Sequence, residues 1–100
     1  MNILDLLFSI EKRKELYIGY GDLLALQHFV SGYCVCLISN GIDHDDSLLL
    51  RFDEYVHEYY AESSTCSLFQ CIIDHTSSKD AAFAQFYSLL HSFANKQAPQ

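Results

Sequence analysis

Asp43-His44-Asp45-Asp46 is the one cluster in the chain with the side-chain types that hold a metal ion. A calcium loop of the EF-hand kind needs acids alternating over about twelve residues, a glycine at the sixth and a closing bidentate Glu. This stretch lacks that spacing, with Leu48 where the glycine would stand sixth from Asp43, so it reads as an acidic turn and predicts no metal. The five histidines are thirteen or more residues apart, without the His-x-x-x-His pair that holds zinc on a helix. Cys34 and Cys36 lie in an apolar run, where a thiol is a poor nucleophile because burial disfavours the thiolate. Acid–base pairs such as Glu54 and His57 occur on any surface helix. Gly19-Tyr20-Gly21 lacks both the Lys-Ser/Thr and the preceding strand of a phosphate loop. The side chains therefore predict no catalytic centre, no cofactor and no enzyme.

Charge is the more informative property. Thirteen acids against six bases give a net charge of −7. Seven of the acids (Asp43, Asp45, Asp46, Asp53, Glu54, Glu58 and Glu62) fall between residues 42 and 62, against one base, Arg51. Lys12, Arg13 and Lys14 are half of all the bases. An acidic domain repels nucleic-acid phosphate and anionic membrane and attracts basic protein surfaces. Direct nucleic-acid and membrane binding are not expected.

One hundred residues suffice for a single core, and an apolar half with about a fifth charged is the composition of a folded chain. The run from Asp22 to Ile42 holds no charge between its ends and spreads apolar side chains around the whole helical wheel, predicting a buried central helix. Gln27, His28, Ser31, Ser39 and Asn40 interrupt it, and no basic cluster follows, which favours a core helix over a membrane span. Gly32, inside it, is expected where another helix crosses closely. Residues 2–15 form a first helix capped by Asn2, with Ile3, Leu6, Leu7 and Ile10 inward. Lys12 to Lys14 either complement the dipole of its last turn or bind a partner. Gly19 and Gly21 are the expected positive-φ positions of the connection, Asp22 the next cap, and Asn40-Gly41 the helix stop.

After an acidic connection, with Asp45 or Asp46 as cap, a third helix runs from Ser47 to about Ala61. Leu48, Phe52, Tyr55, Val56 and Tyr59 form its inner face. Glu54, Glu58 and Glu62 repeat on the other side, where like charges four apart cost a few tenths of a kcal/mol. They are either a solvated face or acids kept for a basic partner. Tyr60, off the apolar stripe and next to the acids, is the expected exposed anchor, since tyrosine is enriched at interfaces. Residues 66–75 fit either strand or helix by periodicity, and helix is chosen because the surroundings are helical. A capping box of Ser77 and Asp80 opens the last helix, with Ala82, Phe83, Phe86, Leu89, Leu90 and Phe93 inward and residues 97–100 as a frayed tail. The expectation is all-α: one domain, residues 1–96, built as a compact bundle of four to five helices. The four cysteines lack zinc or disulfide-scaffold spacing and read as buried reduced thiols. With acids before the bases of the first fifteen residues, the reverse of a secretory signal, this predicts a cytoplasmic protein.

The stretch Lys12-Arg13-Lys14-Glu15-Leu16-Tyr17-Ile18-Gly19, followed by Leu23 to Leu26, Phe29-Val30 and Gly32-Tyr33, resembles a group of small bacterial proteins. Phe52, Tyr55-Val56 and Tyr59 are similar to their aromatic third helix, and Ala82-Phe83 with Phe86 to Leu90 to their ending. The group comprises immunity proteins of contact-dependent growth inhibition and related polymorphic toxin systems. Lys14-Glu15 stands where the family often has a proline. The resemblance implies a non-enzymatic protein, monomeric or a small homo-oligomer, that neutralises a cognate toxin domain by tight binding. Many such toxins are nucleases with basic clefts. Joined to the charge distribution, it points to Asp43, Asp45, Asp46, Glu54, Glu58, Tyr60 and Glu62 as the partner-binding residues. An acidic adaptor with no toxin partner is the alternative.

Overall fold

In the computed structural model, which describes residues 2–42 and 47–97, the first helix starts where a reciprocal cap satisfies two otherwise unpaired backbone donors. Asp5 N donates to the Asn2 side chain at 2.9 Å, and Asn2 N donates to the Asp5 carboxylate at 3.2 Å. This helix, α1 (Ile3–Lys12), buries Leu6, Leu7 and Ile10. It stops short of the expected residue 15 because Arg13 leaves helical geometry, and a four-residue turn, α2 (Lys14–Tyr17), follows at a new angle. Gly19 has the expected positive φ of +61°. Gly21 does not; it is needed for closeness, since a Cβ there would stand 2.5 Å from the Ala25 Cβ.

Asp22 caps α3 (Leu23–Ser39), accepting from Ala25 N at 3.1 Å, and this donated hydrogen bond holds its carboxyl below the usual carboxylate range. Asn40 and Gly41 (φ +64°) close α3 as expected. α4 (Ser47–Tyr59) ends two residues before the expected Ala61, which itself takes the left-handed conformation at φ +53°. The segment 66–75 is helical rather than a strand, over α5 (Leu68–Asp74), capped by Ser67. α6 (Lys79–Gln97) is capped by Ser78, whose hydroxyl accepts from Ala81 N at 3.0 Å, one residue later than the expected Ser77. Gln97 belongs to α6 rather than to a tail. Residues 98–100, the rest of that expected tail, lie outside the described residues.

The result is an all-α bundle: six helices and no strand among the described residues. The radius of gyration, 13.5 Å, matches the ~13 Å of a single domain of this length. No helix among the described residues is long and apolar enough to cross a membrane.

Its centre is not α3. α4, α5 and α6 pack mutually, and α3 rests on α5 and α6. The middle is aromatic. Phe86 of α6 meets Phe52 of α4 edge-on at 5.6 Å and stacks on Phe69 of α5 at 5.5 Å, and Phe93 lies 5.3 Å from Phe52. Tyr87, absent from the expected inner face, is buried and donates its hydroxyl to the Leu7 carbonyl at 2.9 Å. That bond joins α6 to α1, and burial raises the phenol pKa well above its ordinary value. Phe83, expected inside, is half-buried beneath the Lys14 ammonium, 4.3 Å from its ring.

The prediction of a wholly buried α3 fails beyond its middle. Leu23, Leu26 and Val30 are buried, but Val35 and Ile38 are exposed, because among the described residues no other helix covers that end. Among the described residues Gly32 meets nothing within 4 Å of where a Cβ would stand, so no described helix crosses there. Burial of the thiols is likewise partial: Cys71 is buried, Cys34 and Cys66 half-buried, Cys36 exposed, and no disulfide joins them.

Candidate interaction surface

α4 positions three of the four acids of this segment that lie among the described residues, Asp53, Glu54 and Glu58. Its inner face buries Phe52 and Val56 against α5 and α6, with Leu48 and Tyr55 partly buried, so the wheel turns Glu54 and Glu58 outward. Both are exposed, and neither makes an ion pair among the described residues. The basic cluster does not neutralise them: Lys14 sits on Phe83, and Lys12 and Arg13 form no salt bridge among the described residues. Within the described residues, the expected site therefore reduces to this pair.

The other expected positions divide. Asp43, Asp45 and Asp46, with the cap expected of one of them and with His44, lie outside the described residues. Glu62 is half-buried, and its carboxylate accepts from Ser64 N at 3.1 Å, closing a turn. Tyr60 is not an exposed anchor. The helix ends just before it, so its ring leaves the wheel and stacks on His75 at 4.3 Å, where burial raises its pKa. Tyr59, expected inside, is the exposed ring of the pair, edge-on to Tyr60 at 4.8 Å.

Asp53, one residue before the acidic pair, has an internal role missed by periodicity. Its Oδ1 accepts from Leu68 N at 3.0 Å, and its Oδ2 stands 3.4 Å from His57 Nδ1. His57 bridges two carbonyl oxygens: Nδ1 lies 2.8 Å from Asp53 O and Nε2 2.9 Å from Cys66 O. Neutral imidazole has one N–H, so only the imidazolium satisfies both. The Asp53 carbonyl accordingly raises the His57 pKa, burial opposes it, and the Cys66 side chain and the Asp53 charge add to the rise. With both nitrogens donating to carbonyls, His57 has no lone pair with which to take a proton from the neighbouring Cys66 thiol. The Asp53–His57–Cys66 arrangement is a clamp between α4 and the segment leading into α5. Cys71, behind it, has its thiol pushed up to about 11, mainly by burial.

A pH test follows from the clamp. A folded-state pKa raised above the unfolded value of about 6.5 means that the stabilisation is complete below pH 6.5. It is lost as pH rises through the folded value. In urea titrations the unfolding free energy should fall across that window. His57→Gln, which keeps at most one donor to the two carbonyls, should remove the slope and cost about 1–3 kcal/mol at pH 6.

Between α3 and α4 runs a groove of ≈420 Å³, lined by Val30 and Cys34 of α3, Leu49, Leu50 and Asp53 of α4, and Phe69 of α5. It is mostly apolar, and it meets the acidic face at Asp53. A 3.2 Å hydrogen bond from Gln27 Nε2 to Ser67 Oγ links α3 to the segment leading into α5 at one side of it. Compared with known proteins, the chain matches no family model, no curated protein and no solved structure.

Proposed function

We propose that this chain is an immunity protein: a non-enzymatic, cytoplasmic protein that binds a cognate bacterial toxin domain and neutralises it through an acidic face. The observation that carries this reading is the pair Glu54 and Glu58, exposed on one side of α4 with no ion pair among the described residues. Acids left unneutralised at i,i+4 spacing destabilise a helix slightly, and a basic partner offsets that cost. Nucleases suit such a face best, because a cleft that holds phosphate is basic and a row of carboxylates can cover it. The same acidity repels nucleic acid itself. The sequence resemblance agrees in its aromatic third helix and its Phe-rich ending.

The test is genetic and biochemical. Expressed with the product of the open reading frame immediately upstream, the chain should co-purify with it and protect cells from it. An upstream product that neither harms cells nor binds refutes the immunity reading. The same face on an acidic adaptor is the second reading, since the charge of Glu54 and Glu58 selects a basic partner of any kind. It predicts capture of a basic protein that is harmless when expressed alone.

A further inference from the structure

We propose that the groove between α3 and α4 is a docking site for a cationic amphipathic helix, one that presents large apolar side chains flanked by Lys or Arg. Two walls define it. On α3, Ser31 and Cys34 line the groove, and Val35 and Ile38 stand one turn further along the same face, 60% and 62% exposed. On α4, Leu50 lines it while 63% exposed, and Glu54 and Glu58 follow at i+4 and i+8. Asp53 lines the groove too, but its carboxylate is engaged by the Leu68 amide and His57, so the charge offered to a ligand is that of Glu54 and Glu58. The site is thus an apolar trough, with Glu54 and Glu58 exposed on α4 beyond the end that Asp53 lines.

Charge decides the occupant. A second copy of this chain, meeting the first about a two-fold axis at this groove, sets Glu54 and Glu58 against the same two residues of its twin, with a net charge of −7 on each copy. An anionic bilayer meets the same repulsion. A cationic helix instead places apolar residues over Leu50, Val35 and Ile38 and its ammonium or guanidinium groups over the α4 wall, the usual way an amphipathic helix occupies an apolar groove. This inference takes from the acidic-face reading only the sign of the partner's charge; it needs neither a toxin nor an upstream gene.

The probe is a synthetic helical peptide of about eighteen residues built from Leu and Lys, compared with one in which Glu replaces Lys and one in which Ser replaces Leu. Fluorescence anisotropy at physiological salt should show the Leu/Lys peptide binding about tenfold or more tighter than either control. Amide shifts in NMR should map to residues 30–38 and 49–58. Leu50→Ser combined with Ile38→Ser should weaken binding at least about tenfold while the thermal melt stays within a few degrees, since both side chains face solvent.

No binding, equal binding of the controls, shifts elsewhere or indifference to the paired substitution each overturns the proposal. So does sedimentation showing a dimer of the protein that the paired substitution abolishes, because that assigns the groove to a second copy. If the upstream product co-purifies but ignores the groove substitutions, the groove inference falls and the immunity reading stands. If the peptide binds as described and no toxin is found, the reverse holds.

Discussion

Phe86→Ala lowers the unfolding free energy by about 3–5 kcal/mol, enough to remove much or all of the stability of a domain of this size. Phe86 is fully buried, stacked on Phe69, edge-on to Phe52 and 4.9 Å from Tyr87. Truncation leaves a cavity where three helices converge, and each lost ring pair adds about 0.5–1.5 kcal/mol to the transfer cost. At roughly 4–8 °C per kcal/mol, the thermal midpoint falls by at least about 12 °C. Leu50→Ser is the internal control, because its side chain already faces water and its substitution should change stability by no more than about 0.5 kcal/mol. A loss below about 1 kcal/mol for Phe86→Ala would mean that α4, α5 and α6 do not meet at this ring.

If the chain is the immunity protein proposed above, reversing Glu54 and Glu58 together to Lys weakens binding of its toxin about 100-fold. This takes ~1.4 kcal/mol for each reversed charge facing a basic surface, the low end of measured close pairs across interfaces. The effect should appear first in the association rate, which for the unmodified protein falls as salt rises and for the variant is slower and flatter. Folding is a clean control, since two Lys four apart repel about as much as the two Glu they replace. The variant should melt within a few degrees of the original protein. Undiminished affinity would show that the toxin docks elsewhere, leaving the immunity reading intact and the site wrong.

The corrections to the expected site share one cause. Periodicity says which way a side chain points from its own helix, but not whether another helix lies there or how far it reaches. Val35 and Ile38 are as apolar as Val30, and only the position of α5 and α6 decides that Val30 is covered and they are not. Tyr59 and Tyr60 exchanged their expected fates because α4 stops between them, a stop marked in sequence by no glycine, with an alanine, Ala61, taking the left-handed conformation. Asp53 and His57 sit at i,i+4 like many surface pairs, and their use as a clamp depends on the Leu68 amide and the Cys66 carbonyl, nine to fifteen residues away.

Local chemistry was legible because it is local. The caps at Asn2 and Asp22, the stop at Asn40-Gly41, the apolar faces of α1 and α4, the all-α class and the acidic excess all follow from residues within a few positions of one another. Their energetics, a capping hydrogen bond or a face turned inward, need no knowledge of the rest of the chain. Tertiary structure decided which apolar faces found a partner, and so made the centre of the protein the Phe52, Phe69, Phe86 and Phe93 cluster instead of the uncharged helix. It also left that helix's outer end uncovered, and an open groove between α3 and α4. Burial is a property of pairs of surfaces, and a sequence states only one surface at a time.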